Sequence, residues 1–426
     1  MNIKWINKGV KRGMKNLMFL SLGQFSSAIV NGLSFLLIIY FLGLPAYGKF
    51  VTVSSFVAFF TLLTLNQMSK VIIREGSKDI TKMSRIIERT SGIKTALCLL
   101  AMLFTFIFTL LSPYTWEIKL YITIFSFHLI YDTYSSFFYS IFNALEKMQY
   151  IAILQFGQRV LTFILTVTCL LLGFDILALI VVATLSSLLT VFINYKISSR
   201  FIPFRFNLGI YWDKELMKST LIFSLILFMS FVATRIDVLM LSILASWSDV
   251  GVYGAAEKFA EPGQIIRNLA AVAFFPMFVK MFHNKKVKGA ILFRYSTAAA
   301  FIVFFLITIV VICVNLLSIP LADIVEGTRA EVYLDPIPIW SVLFYYVGIS
   351  IITIPFINAL QATHNEMVVL RISWIPPIAN IVLNLVFLKL FGVIGIAYST
   401  LCVYTIGFIL HMIVCWKVLK RQGHIY

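Results

Sequence analysis

Long apolar runs dominate this chain, and at least eight of them exceed the roughly 20 residues that a helix needs to cross a bilayer. Hydrophobic residues make up 60% of the chain and charged residues only 12%. An ordinary soluble domain does not have this composition. Because lipid offers no hydrogen-bond partner to the backbone, each run must form a helix whose hydrogen bonds are internal. The sequence therefore predicts an all-α polytopic membrane protein.

We predict twelve transmembrane helices. Two apolar stretches are long enough for two crossings each, and we divide them at Gly173 and Gly392 because glycine permits a tight turn. The predicted spans are 17–42, 47–68, 93–112, 119–142, 150–173, 176–196, 219–244, 250–280, 295–319, 337–360, 371–391 and 393–417.

Lysine and arginine are distributed unevenly over the segments between these spans. If the N-terminus lies in the cytoplasm, most of the 35 basic residues fall on that same side, as the positive-inside rule requires. The bias predicts that both termini are cytoplasmic. It also explains the net charge of +17 through contact with anionic membrane lipids, so we expect no nucleic-acid partner.

Short motifs recur at a distance of about half the chain. The recurring motifs are Tyr47-Gly48 with Tyr253-Gly254, Asn143-Ala144-Leu145 with Asn358-Ala359-Leu360, and Gly173 with Gly392. Six spans in each half give both halves the same orientation, so we expect two parallel six-helix bundles related by an axis along the membrane normal. The predicted domains are an N-terminal bundle at 1–200, a cytoplasmic connector at 201–218 and a C-terminal bundle at 219–426. In such a transporter the substrate site lies between the repeats.

Motifs of common enzyme and cofactor sites are missing from the sequence. The five cysteines are scattered through apolar spans without the paired spacing of a disulfide or a zinc site, and the five histidines do not cluster. No glycine-rich nucleotide loop or serine nucleophile elbow occurs either. We therefore predict that the chain is not an enzyme and that it needs neither a cofactor nor a metal ion.

Two parts of the chain resemble a known family. Asp237 lies within the seventh span, and the segment 250–256 after it is similar to the turn that follows an intramembrane aspartate in Wzx-type polysaccharide flippases. The segments 358–362 and 391–400 resemble the last two helices of the multidrug/oligosaccharidyl-lipid/polysaccharide (MOP) exporter superfamily. That superfamily also contains multidrug (MATE) exporters and lipid II flippases. The chain thus resembles a Wzx-type flippase over essentially its whole length.

The resemblance implies a flippase of the cytoplasmic (inner) membrane. Such a protein turns an undecaprenyl-diphosphate-linked oligosaccharide, for example an O-antigen unit, from the inner to the outer leaflet. The resemblance also implies alternating access coupled to an ion, with a polysaccharide polymerase and glycosyltransferases as candidate partners. The physical chemistry agrees, because the polar headgroup of this lipid needs a polar path through the hydrocarbon.

Charged residues inside the predicted spans are the candidate site residues, because each costs at least about 2.5 kcal/mol at the centre of a membrane helix. Arginine can hold a diphosphate or an acidic sugar with bidentate geometry. The residues expected to bind substrate are Arg159, Arg235, Asp237 and Arg267. A structural ion pair within the bundle remains the alternative role for these charges.

Three acidic residues are the candidates for ion coupling, namely Glu257, Glu261 and Asp132. Glu257 and Glu261 are one helical turn apart, and two carboxylates on one helix face favour uptake of a proton. Asp132 follows His128 by one turn and forms a second polar spot with it. We also expect Arg235 to pair with Glu257 or Glu261 across two helices.

Two other functions stay open at this point. A MATE-type exporter of small molecules would suit the acidic residues inside the spans, whereas the arginines favour an anionic cargo. A protein of another class, a non-transporting scaffold of a polysaccharide assembly complex, is disfavoured because the loops between the spans are short.

Overall fold

The structure is a computed structural model that describes residues 3–66, 68–69, 72–73, 76, 79–204, 206–207, 209, 214–283, 298, 302–316, 334–363 and 365–421. The regular elements in this part of the chain are all helical, as the apolar runs predict. The helices are α1 (Ile3–Phe60), α2 (Met83–Leu111), α3 (Trp116–Phe125), α4 (His128–Ala144), α5 (Met148–Leu171), α6 (Ile176–Phe201), α7 (Lys214–Leu244), α8 (Trp247–His283), α9 (Ile302–Leu316), α10 (Pro336–Ala362), α11 (Glu366–Ser373), α12 (Ile375–Phe391) and α13 (Val393–Arg421).

Seven helical segments in the described part are long and apolar enough to cross a membrane. They comprise α1, α2, α5, α6, α10, α11 together with α12, and α13. On α2 the side chains of Leu103 and Leu111 are exposed, whereas those of Thr105 and Thr109 are buried. Apolar side chains outside and small polar ones inside are what a lipid environment selects. The chain is therefore a multi-pass membrane protein.

Glycine and proline divide α1. A straight helix of its 58 residues would extend roughly 87 Å, nearly three times the ~30 Å hydrocarbon core. Gly43 breaks the helix with a φ of 81° and a ψ of 172°, a conformation open mainly to glycine. Pro45 follows in the first turn of the next segment, where its missing N–H costs no hydrogen bond. The break falls between the first two predicted spans.

The two glycine turns predicted between adjacent spans are confirmed. Gly173 lies between α5 and α6 with a φ of 77°, and Gly392 lies between α12 and α13 with a φ of 66°. A side chain at either position would be strained, because these angles are left-handed.

Two of the predicted spans contain a local irregularity at which one helix ends and the next begins, although the residues between them keep right-handed helical angles. The predicted span 119–142 consists of α3 and α4, which are separated by a turn at Ser126 and Phe127. Near the C-terminus, α11 and α12 meet at Trp374. The prolines that follow Trp374 cannot donate the backbone hydrogen bonds that would continue α11.

The chain divides into two compact units. The first unit comprises Met1–Leu42 and Lys49–Leu225, and the second comprises Gly43–Gly48 and Ile226–Tyr426. The helix α7 therefore begins in the first unit and continues in the second. The domain limits expected from the sequence, at 1–200, 201–218 and 219–426, stay a prediction.

Candidate functional site

A buried carboxylate joins four helices of the second unit. Asp237 of α7 is 1% exposed, and each of its oxygens accepts two hydrogen bonds. Asn380 and Asn384 of α12 donate to Oδ1 at 2.8 Å each. Tyr253 of α8 and Thr400 of α13 donate to Oδ2 at 2.7 Å each. Four neutral donors thus compensate the loss of water around this carboxylate.

The amide groups of α12 extend this network. Asn380 and Asn384 are one helical turn apart and therefore share a face of α12. Asn380 Nδ2 also donates to the carbonyl oxygen of Ala233 at 2.8 Å, and Asn380 Oδ1 accepts from Ser399 Oγ at 3.1 Å. Asparagine side chains that bond between membrane helices hold those helices in one register.

Arg235 lies two residues before Asp237 but has different partners, because side chains two apart on a helix point in different directions. Its Nη1 donates to Glu257 Oε2 of α8 at 2.9 Å, which confirms the predicted pairing across two helices. The Glu257 side chain is 13% exposed and that of Arg235 is 35% exposed. The guanidinium group therefore lies at the border of the buried region.

The two glutamates of α8 are bound to different cations. Glu261 Oε2 accepts from Lys258 Nζ at 3.0 Å, whereas Glu257 is bound to Arg235. Both glutamates and Arg235 act electrostatically on the hydroxyl of Tyr47, which lies in the Gly43–Gly48 segment of the second unit. The structure thus brings three predicted site residues into one polar cluster.

Arg267 of α8 adjoins two tyrosines. Its guanidinium is within hydrogen-bonding range of the Tyr404 hydroxyl of α13 and acts electrostatically on Tyr346 of α10. The centroids of the two tyrosine rings are 4.8 Å apart, and Gln264 Nε2 donates to the Tyr346 hydroxyl at 2.9 Å. We call Gln264, Arg267, Tyr346 and Tyr404 the arginine–tyrosine cluster. It combines an arginine cation with rings that have both an apolar face and a polar edge.

The Gly43–Gly48 segment packs closely against the start of α8. A Cβ added at Gly48 would overlap the carbonyl oxygen of Trp247 and would lie 2.9 Å from the nitrogen of Gly251. A Cβ added at Gly251 would overlap the carbonyl oxygen of Leu44. Two backbones can come this close only where side chains are missing.

The predicted site residues of the first unit lie in a polar network of their own. Asp132 Oδ2 accepts from Thr61 Oγ1 at 3.1 Å, and Asp132 Oδ1 lies 3.8 Å from His128 Nε2. His128 Nδ1 in turn lies 2.7 Å from Ser187 Oγ of α6. Arg159 of α5 acts electrostatically on His128. The structure therefore places Asp132 beside His128, and Arg159 is within electrostatic reach of the same histidine.

Lys94 is a candidate residue that sequence reasoning missed. The positive-inside pattern counts it with the basic residues at the cytoplasmic end of the predicted span 93–112, but the structure buries it completely within α2. Its Nζ donates to the carbonyl oxygens of Thr64 at 3.1 Å and Leu65 at 3.3 Å, and to Asn66 Oδ1 at 3.0 Å. Leu65 has a left-handed φ of 47°, so the lysine caps an irregular helix end.

The polar clusters of the described residues are built from charges, amides and hydroxyls. Within these residues no group of three His, Cys, Asp or Glu side chains could hold a metal ion. The cysteines of this part are all free thiols. Hydrogen bonding, charge pairing and proton exchange are therefore the chemistry that these clusters offer.

Sequence comparison matches a family model over most of the chain. The model is that of the polysaccharide biosynthesis protein, and it matches residues 14–282. Comparison with curated protein sequences gives no match. The match covers the whole first unit beyond its first residues and continues through α8.

Solved transporter structures share the fold. A lipid II flippase, MurJ, in an inward closed conformation is similar with a TM-score of 0.71 and 18% identity over 93% of this chain and 87% of that one. An outward-facing multidrug resistance MATE transporter of the MOP superfamily has a TM-score of 0.66 and 14% identity over 96% of both chains. A MOP superfamily transporter from Pyrococcus furiosus, whose binding pocket has a reversed polarity that suggests a different function, has a TM-score of 0.65 and 16% identity over 95% and 96%. These matches show that the chain has the fold of these transporters and flippases.

Proposed function

This chain belongs to the polysaccharide biosynthesis protein family, and we propose that it is a flippase for an undecaprenyl-diphosphate-linked oligosaccharide. The cargo, an O-antigen unit or another surface polysaccharide unit, moves from the inner to the outer leaflet of the cytoplasmic (inner) membrane. Its sugars and diphosphate cannot cross hydrocarbon unaided, because each unpaired polar group costs several kcal/mol there. The protein supplies a polar path and makes or breaks no covalent bond.

The arginine–tyrosine cluster is the observation that carries this proposal. Arg267 offers paired donors to phosphate oxygens, which a lipid diphosphate presents in one group. Tyr404 lies beside it and is only half-buried, so it can present an apolar face and a hydroxyl to a sugar, while the buried Tyr346 packs against its ring with centroids 4.8 Å apart. Gln264 orients the Tyr346 hydroxyl through its hydrogen bond at 2.9 Å. Arg235 adds a second cation within the same unit.

Asp237 has a supporting part in this proposal. Its two oxygens are occupied by four donors, so the residue holds α7, α8, α12 and α13 together rather than touching the cargo. Two of these helices, α8 and α13, also carry Arg267 and Tyr404. The carboxylate thereby sets the spacing of the residues that bind the headgroup.

The transport cycle is alternating access between two parallel bundles of six helices. We propose that the chain has twelve spans with both termini in the cytoplasm, and that Glu257, Glu261 and Asp132 are the candidates for ion coupling. The solved relatives in inward closed and outward-facing conformations support a cycle of this kind for the fold. Glycosyltransferases would supply the cargo at the inner face of the membrane, and a polysaccharide polymerase would consume it at the outer face.

Deletion of the gene in the native host, followed by complementation, tests this function. Lipid-linked oligosaccharide should accumulate in the inner leaflet of the deletion strain, and the wild-type gene should clear it. R267A should fail to clear it at normal membrane levels, R267K should do so partly, and R371A, which changes an exposed arginine of α11, should behave as wild type. Clearance by R267A would show that the cluster does not bind this cargo.

A MATE-type exporter of small molecules is the second candidate. The similarity to MATE structures and the carboxylates of Glu257, Glu261 and Asp132 are the observations in its favour. In that case deletion would leave the lipid-linked oligosaccharide in its normal leaflet and would raise the cellular content of a cationic dye. A scaffold without transport activity would change neither quantity but would lower the recovery of assembly partners in pull-down experiments.

A further inference from the structure

A tightened helical turn precedes a titratable pair in the first unit. The helix α3 ends at Phe125 and α4 begins at His128, after a turn at Ser126 and Phe127. His128 lies roughly 18 Å from Trp116 along the helix axis, near the middle of a hydrocarbon core of ~30 Å. Intramembrane ionisable residues mark ion and substrate sites in transporters.

Ser187 determines which nitrogen of His128 carries a proton. Ser187 Oγ lies 2.6 Å from the carbonyl oxygen of Ala183 and 2.7 Å from His128 Nδ1. A hydroxyl has one hydrogen, and the carbonyl oxygen can only accept, so this hydrogen points to Ala183. Ser187 Oγ then accepts a hydrogen bond from Nδ1–H. In a neutral imidazole the second nitrogen, Nε2, is left with a lone pair.

This lone pair faces a carboxylate. His128 Nε2 lies 3.8 Å from Asp132 Oδ1, one turn further along α4. Thr61 Oγ1 donates a hydrogen bond to the other carboxylate oxygen, Oδ2, at 3.1 Å. Two acceptors that face each other repel, whereas a proton between them makes their contact attractive. When the histidine is neutral and the aspartate is ionised, one further proton can therefore bind between Nε2 and Oδ1.

Polar groups surround the pair on several helices. Arg159 of α5 acts electrostatically on the histidine and on Tyr131 beside it. From α2, Cys98 interacts with the aspartate, and Lys94 one turn earlier interacts with Cys98. From α3, the ring of Phe125 stacks on the imidazole with centroids 4.9 Å apart, and α6 contributes the serine hydroxyl. The paired side chains are 20% and 29% exposed, so neither is sealed inside the unit.

We propose that His128 and Asp132 together bind one exchangeable proton, and that transport responds to protons through this pair. The coupling part of this inference rests on the proposed flippase function, whereas the proton site itself does not. The pair lies within the first unit, and its members come from one helix. A proton arriving there replaces a repulsive contact with a hydrogen bond or an ion pair and so changes how α4 is held against α6 and the end of α1.

The glutamates of the second unit are bound in another way. Glu257 pairs with Arg235 at 2.9 Å and Glu261 pairs with Lys258 at 3.0 Å. A carboxylate that already binds a cation gains less from a proton than one that faces an imidazole lone pair. This contrast favours the histidine–aspartate pair of the first unit as the coupling site over the two glutamates.

Nitrogen-15 NMR of histidine tests the proton site on the full-length protein in lipid nanodiscs without cargo. H128Q assigns the resonance among the five histidines, and the assigned signal should respond to pH in the wild type. D132N should move the midpoint of this response. The matched control is H411Q, which removes a buried histidine whose Nδ1 binds the Gly407 carbonyl oxygen, and it should leave the response unchanged. A His128 signal that ignores pH, or that D132N does not move, overturns the proposal.

S187A provides a second test, which does not require D132N to fold. S187A removes the acceptor for Nδ1–H but leaves both titratable side chains in place. It should change the balance between the two neutral forms of the His128 ring, with a size-exclusion profile like that of the wild type. An unchanged balance would contradict the assignment of the proton to Nδ1.

Reconstituted flipping of the lipid-linked oligosaccharide at several pH values provides the second readout. H128Q and D132N should abolish the pH dependence, and H411Q should preserve it. If flipping stays pH-dependent in both H128Q and D132N, the coupling role is overturned. A normal NMR response in a protein that flips no lipid-linked oligosaccharide would instead reject the proposed function and leave the proton site standing.

Discussion

Arg235 Nη1 and Glu257 Oε2 lie 2.9 Å apart and join α7 to α8 within the second unit. Sequence reasoning gave these residues different tasks, substrate binding and ion coupling, yet they form one ion pair. A pair that only holds two helices tolerates an exchange of its charges. A pair that also binds an anionic cargo needs the guanidinium group to stay at position 235.

Charge exchange separates these two roles. R235A and E257Q should each lower flipping at least ~10-fold, which corresponds to about 1.4 kcal/mol of lost transition-state stabilisation. R235E/E257R should recover the thermal stability of the wild type in detergent but not its flipping activity. Rates measured in proteoliposomes at equal protein content check this prediction. A double variant with normal flipping would show that the pair is purely structural.

Asp237 should prove more important for stability than for cargo contact. In D237N one of the two acceptor oxygens becomes an NH₂ group, which then faces two buried donors. Thr400 Oγ1 keeps the Ile396 carbonyl oxygen as an alternative acceptor, so about one buried donor loses its partner and we expect a loss of about 1–3 kcal/mol. Thermal unfolding of the solubilised protein measures the effect, with D175N, at an exposed helix start without a side-chain cap bond, as the control. If the D237N protein is stable but cannot transport, Asp237 contacts the cargo instead.

Lys94 should hold the end of α1 in its irregular form. K94Q shortens the side chain, so the carbonyl oxygens of Thr64 and Leu65 lose their shared donor at a cost of about 1–3 kcal/mol. Backbone amides at 61–66 should then exchange faster with deuterium, as measured by mass spectrometry. K389Q, at an exposed lysine of α12, should leave their exchange unchanged. Equal protection of 61–66 in K94Q and in the wild type would show that the lysine is not needed there.

The contact between the Gly43–Gly48 segment and α8 should not tolerate a side chain. G251A and G48A each place a methyl group on a backbone carbonyl oxygen, and overpacking of this kind costs about 1–3 kcal/mol. Both variants should unfold at lower temperature than the wild type in detergent. G157A is the control, because a Cβ at Gly157 meets nothing within 4 Å. Unchanged unfolding temperatures for G251A and G48A would indicate that the segment separates easily from α8.

Features that depend on local chemistry could be predicted from the sequence. Gly173 and Gly392 mark turns because a residue with a left-handed φ is usually glycine. The pairing of Arg235 with Glu257 follows from opposite charges at similar depths on two consecutive helices. The membrane class follows from composition alone.

Features that depend on distant parts of the chain could not be predicted. The tightened turn at Ser126 and Phe127 contains neither glycine nor proline, so nothing in the sequence marks it. The burial of Lys94 requires the carbonyl oxygens of a helix end that lies about 30 residues away. The structural role of Asp237 could not be predicted, because its hydrogen-bond donors on α12 and α13 lie far away in the sequence.

The Gly43–Gly48 segment has a consequence for dividing this protein into fragments. It lies early in the chain but belongs to the second unit, while the start of α7 belongs to the first. A cut within 201–218 would therefore produce two polypeptides, each of which carries a piece of the other's compact unit. Coexpressed fragments would have to associate before either compact unit could be complete. Such an exchange makes this chain a natural subject for split-protein complementation.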